Sequence, residues 1–141
     1  PTDGFNASGR GYPDVSNLGH NYIIFINGED TIQGKPLAVS GTSAAAPVTA
    51  GMISLINAYR LKNGGSSLGW LNPTMYNSPV SSPLSGAFLD ITEGNNNCIE
   101  SEDPAHEAAP LCCKTGFEAA SEWDAATGLG TPNFAKLAAV V

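Results

Sequence analysis

Charge is scarce in this chain of 141 residues: 13% are charged, and six Lys and Arg face thirteen Asp and Glu, for a formal net charge of −7. So few cations leave little to hold a phosphate backbone, and nucleic acid is not expected as a partner. The acidic surplus suits an acidic compartment, where protonation relieves the repulsion among carboxylates. Long apolar runs are missing too. Apolar residues reach 42% of the chain, yet no stretch approaches the roughly 18 that a membrane span requires, so no membrane partner is expected. The start, PTDGFNASGR, has no initiating Met and neither the basic nor the apolar region of a signal peptide. The chain is therefore expected to begin at a processing site or an artificial boundary.

Cysteine is sparse as well. Cys98, Cys112 and Cys113 contain no Cys-x-x-Cys pair and match no usual zinc spacing, so disulfides are the reading in a secreted chain. Adjacent cysteines rarely bridge each other, which leaves Cys98 with either Cys112 or Cys113 and one thiol for a partner on another chain. Three unpaired thiols in a loop is the alternative. Asn6-Ala7-Ser8 is a glycosylation acceptor triplet and fits a secretory route.

What is plentiful is glycine and proline, 26 residues together, so turns are many. The length and apolar content suit one domain with its own core. Residues 21–28 (NYIIFING) and 35–41 (KPLAVSG) read as short buried strands. From Ser43 the spacing of Val48, Met52, Leu55 and Ile56 predicts a long helix closed by Gly64 and Gly65. Pro47 falls near its start, where a missing N–H costs little. The small residues Ala44, Ala45, Ala46, Ala50 and Gly51 allow close approach, placing this helix inside a layered α/β fold. LNPTMYNS predicts a short helix with Asn72 as cap and Pro73 first. AFLDIT (87–92) predicts a buried strand, and TPNFAKLAAVV a terminal helix packing through Phe134, Leu137 and Val140.

Ser43 at a helix start is a candidate nucleophile, because orphan amides and the macrodipole there favour a developing oxyanion. Gly41 lets the chain turn with no side chain in the way. The competing reading is that Ser40, Thr42 and Ser43 merely cap the helix. His20, in a Gly-His-Asn turn, and His106, in an acidic loop, lack the surroundings of a triad base and read as solvated.

The wider strings favour the nucleophile. SGTSAAAP (40–47) resembles the nucleophile motif of the subtilisin-like clan, and GRGYPDVS before it with LGWLNPTMY after it is similar to the sedolisins, the serine-carboxyl peptidases. The resemblance continues through DITEGNN and GFEAASEWDAATGLGTPNF, covering nearly the whole chain in order. It implies a subtilisin-like layered fold with a mostly parallel sheet and a buried helix beginning at the nucleophile, of which residues 1–141 form the C-terminal portion of one catalytic domain.

The resemblance further implies an acid-acting endopeptidase or tripeptidyl peptidase that hydrolyses polypeptide substrates, extracellular or lysosomal/vacuolar. Ser43 is then the nucleophile, with its own N–H as one oxyanion donor. The family's base is a glutamate assisted by an aspartate, and a protonated aspartate serves the oxyanion; all precede the serine. Asp3, Asp14, Glu29 and Asp30 do not sit in those contexts, and Asp14 belongs to a structural turn. The catalytic acids are thus expected on an N-terminal portion of the same enzyme, either continuous or a separate disulfide-linked chain. Asp90 and Asp124, with carbonyls of Ile91, Ala120 and Glu122, match the family's calcium motif, so a calcium ion is the expected cofactor. Where this chain has Glu122 the family usually has Gly, so a positive φ there would be strained. The alternatives are a fragment of an ordinary subtilisin-like protease, and a non-catalytic remnant or binding module.

Overall fold

The computed structural model describes residues 4–25, 36–76, 86–99 and 111–140. These cluster into two compact units, one formed by Pro1–Ser16 with Phe88–Thr131 and the other by Asn17–Ala87 with Pro132–Val141. The described strands form three two-stranded sheets, and with three helices the described residues are α/β.

In the unit carrying Ser43, β1 (Tyr22–Phe25) pairs antiparallel with β2 (Pro36–Val39), in a register that sets Tyr22 opposite Val39 and Phe25 opposite Pro36. The two strands are ten residues apart in sequence, a hairpin-scale separation, whereas a parallel pair needs a crossover of a dozen or more. The mostly parallel sheet is therefore not found among the described residues. Pro36 opens its strand, where a missing N–H is tolerated. Ile23 and Phe25 are 67% and 71% exposed, because a two-stranded ribbon has too few neighbours to bury both faces.

Helix α1 runs Thr42–Lys62, 21 residues beginning one residue before the predicted start. Pro47 is consequently its sixth residue, past the first four orphan amides, and the carbonyl of Ser43 loses the i→i−4 donor that any other residue would supply. The end is closed as predicted: Gly64 takes φ 81°, its N–H donates to Leu61 O at 3.1 Å, and the Gly65 N–H donates to Arg60 O at 2.9 Å. That is a Schellman motif, which glycine satisfies without a Cβ penalty. Arg60 and Lys62 in the last turn complement the macrodipole.

The interior placement of α1 does not hold for the described residues. Only Ile56 is buried along its length, and Leu55, Tyr59 and Leu61 are 58–67% exposed. A helix is buried all round only when elements surround it, and among the described residues α3 (Phe134–Val140) lines a groove with one side of α1. Leu55, Ile56, Tyr59, Phe134 and Ala138 line the groove between α1 and α3. Leu137 is buried on α3, while Phe134 is half-exposed; the side chain of Val140 lies outside the described residues. Asn133 caps α3, accepting the Lys136 N–H at 3.1 Å, and the predicted short helix forms as α2 (Asn72–Tyr76), with Asn72 as its first residue rather than its cap.

The other unit is held by turns. The predicted strand over 87–92 contracts to β3 (Phe88–Leu89), whose partner is β6 (Thr131–Pro132). Leu89 is 69% exposed, so this strand is not buried as expected. β4 (Cys98–Ile99) pairs antiparallel with β5 (Leu111–Cys112), and Cys98 is bridged to Cys112, its register partner. Cys113 is the free, exposed thiol. Phe5 and Phe117 meet edge to face at 5.5 Å. Trp123 donates from Nε1 to Pro13 O at 2.9 Å, and its ring lies where a Cβ at Gly11 would stand, so only glycine fits there.

Candidate functional site

Ser43 is the second residue of α1, and it is exposed. Gly41 is the N-cap, at φ 147° and ψ 159°, and no side chain caps the helix. The capping role open to Ser40, Thr42 and Ser43 is therefore not taken. Instead the Gly41 carbonyl accepts the amides of Ala44 at 3.0 Å and Ala45 at 3.4 Å, leaving the Thr42 and Ser43 amides as the helix's orphan donors. A side chain at residue 41 would be strained at that φ, which accounts for glycine at the start of the helix.

The segment leading into β1 holds this corner. The Gly41 N–H donates to Gly19 O at 2.6 Å. Ser40 Oγ lies 2.8 Å from His20 Nδ1 and accepts the Asn21 N–H at 3.1 Å. Asn17 Nδ2 donates to Thr49 Oγ1 at 3.2 Å, and that hydroxyl donates to Ala45 O at 3.3 Å. His20 is exposed, as expected, but it is not merely solvated: Ser40 is its partner. The sequence carries no sign of this pairing, because the two residues are 20 apart. Asp3, Glu29, Asp30 and His106 lie outside the described residues.

The predicted calcium residues all fall in the other unit. The Glu122 N–H donates to Asp90 Oδ2 at 2.9 Å, and the Ala120 N–H donates to Asp124 Oδ2 at 3.0 Å. One three-residue turn thus ties both carboxylates together, and Ile91 follows Asp90 directly. Glu122 sits at φ 70°, the left-handed conformation that glycine adopts freely. Asp124 Oδ1 accepts the amides of Ala126 at 2.9 Å and Thr127 at 2.7 Å. Among the described residues no three Asp, Glu, His or Cys side chains gather to hold a metal, so a cation here would depend on backbone carbonyls beside the two aspartates.

Asp124 is 7% exposed. Burial pushes its carboxyl up, but hydrogen bonds from Ala120, Thr127 and Ala126 outweigh that and bring the pKa below its ordinary 3.8. Asp14 is held by its neighbours: Arg10 Nη2 pairs with it at 2.6 Å, and its carbonyl accepts the Leu129 N–H at 3.0 Å. Such an exposed ion pair adds little stability.

A carboxylate with a depressed folded pKa contributes stability above its unfolded pKa, and the contribution disappears as pH falls through the folded value. Asp124→Asn should therefore cost on the order of 1–3 kcal/mol at neutral pH, with the gap to the native protein closing as pH falls through the folded pKa, below the ordinary 3.8. Thermal melts across that range check the sign.

No family model matches the chain. Against curated proteins it is 45% identical over 141 residues to Physarolisin of Physarum polycephalum, covering 100% of this chain and 22% of that protein. It is 41% identical over 133 residues to Tripeptidyl-peptidase 1 of Dictyostelium discoideum, covering 94% of the chain and 19% of the relative. The same identity and length hold for Tripeptidyl-peptidase sed1 of Aspergillus fumigatus, with 94% and 17% covered. The chain thus spans about a fifth of the length of the curated relatives it matches. Identity of this order along the full chain, with the motifs in sequence, means that the chain belongs to the sedolisin family and matches a C-terminal portion of it.

Proposed function

We propose that this chain supplies the serine nucleophile and a structural calcium site to an acid-acting serine-carboxyl peptidase, an endopeptidase or a tripeptidyl peptidase. The observation that carries the reading is Ser43 itself, exposed at the second position of a 21-residue helix whose start no side chain caps. The names of the relatives, tripeptidyl-peptidases among them, support it.

In this reading Ser43 Oγ attacks the scissile carbonyl carbon, and its proton passes to a glutamate, assisted by an aspartate, on an N-terminal portion of the enzyme. The tetrahedral oxyanion takes the Ser43 N–H and the positive end of α1. The C–N bond then breaks as the leaving amine takes the proton, and water releases the acyl group from Oγ. Acid operation follows, because a carboxylate base works near its own pKa. The same N-terminal portion would complete a subtilisin-like layered fold with a mostly parallel sheet, covering the exposed face of α1. If it is a separate chain, the exposed thiol of Cys113 is the natural tether. The Cys98–Cys112 bridge supports an oxidising route to an extracellular or lysosomal/vacuolar site.

The residues present fit calcium, since every proposed donor is a hard oxygen and the turn 120–122 bonds to both aspartates. Asp90 and Asp124 side chains, with carbonyls of Ile91, Ala120 and Glu122, would hold the ion. Its charge would lock the turn and enter no chemical step.

Two measurements test these assignments. In the full-length enzyme Ser43→Ala should lower kcat roughly 10⁴-fold or more, and the isolated chain should show no hydrolysis at about pH 4; activity retained by the variant contradicts the nucleophile. Calorimetry with a chelator should lower the melting temperature, and an unchanged one counts against the ion.

A further inference from the structure

We propose that Ser40 is the positioning residue for Ser43, acting through its shared hydrogen bonds with His20 and Asn21. The inference rests on Ser43 being the nucleophile. An uncapped helix start has to be fixed from outside, and two hydrogen bonds from the segment before β1 converge on Ser40 Oγ, three residues before Ser43. A hydroxyl has one proton and two lone pairs, so Ser40 can accept the Asn21 N–H and still bond His20 Nδ1.

The geometry around it is constrained on both sides. Asn21 holds φ 56°, an uncommon conformation that asparagine tolerates, and its amide is the one bonded to Ser40. Strain kept beside a functional residue requires surroundings that over-determine it. Those surroundings are present: the Gly19 carbonyl takes the Gly41 N–H, and a Cβ at Gly19 would stand 3.2 Å from Gly41 O. Residues 17–21 therefore engage the end of β2, the N-cap and, through Asn17 and Thr49, the second turn of α1. Ser43 is carried between the first and last of these anchors. A nucleophile displaced by about 1 Å forfeits a large factor in rate while leaving remote substrate contacts intact.

The test is kinetic, on the full-length enzyme. Ser40→Ala should lower kcat roughly tenfold to a hundredfold with KM nearly unchanged, and Ser40→Thr, which keeps the hydroxyl, should recover most of it. His20→Ala should lower kcat in the same manner, and His20→Asn, whose amide can reach the Nδ1 position, should recover it. Melting temperatures measured alongside separate positioning from folding. A kcat within about twofold of the parent for Ser40→Ala, a loss shared equally by KM, or no recovery in either conservative variant overturns the proposal. Loss of the nucleophile assignment reads out separately, as unaltered activity in Ser43→Ala.

Discussion

A helix that starts without a side-chain cap must have its corner fixed by the chain that meets it, and that constraint governs how Ser43 is presented. Gly41 makes the turn from β2 into α1 at a φ of 147°, where any side chain would be strained. Its carbonyl serves the amides of Ala44 and Ala45, and its N–H is taken by Gly19. The hydroxyl residues nearby are thus released from capping. Ser40 turns to His20 and Asn21, and Ser43 stands exposed beside orphan amides.

The second unit solves a related problem with a carboxylate. Asp124 gathers the amides of Ala120, Ala126 and Thr127, so the turn that precedes it and the turn that follows it share one acceptor. Because those bonds outweigh burial, the group keeps its charge further into the acid range than a free aspartate would. Such a staple persists into acid, where most carboxylate contacts weaken. Glu122 is the cost of the arrangement: it occupies a conformation suited to glycine, while its amide holds Asp90.

Local chemistry was readable in the sequence and tertiary partnership was not. The closing glycines of α1, the Asn-Pro start of α2 and the strands at 22–25 and 36–39 are written in turn residues and periodicity. The strain at Glu122 was legible once a glycine was expected there. The described residues of this chain do not bury α1, because small residues show that a helix can be approached closely and do not supply the neighbours. The choice of Cys112 over Cys113 for Cys98 depended on strand register, which spacing leaves open. The His20–Ser40 contact needed the hairpin to bring two distant residues together.

Covalent trapping tests the central claim most directly. The full-length enzyme, inactivated at acid pH by a substrate-derived peptide bearing a serine-reactive electrophile, should carry the adduct on the peptide containing Ser43, with one adduct per molecule. An adduct at another residue, or complete inactivation with Ser43 unmodified, would contradict the account.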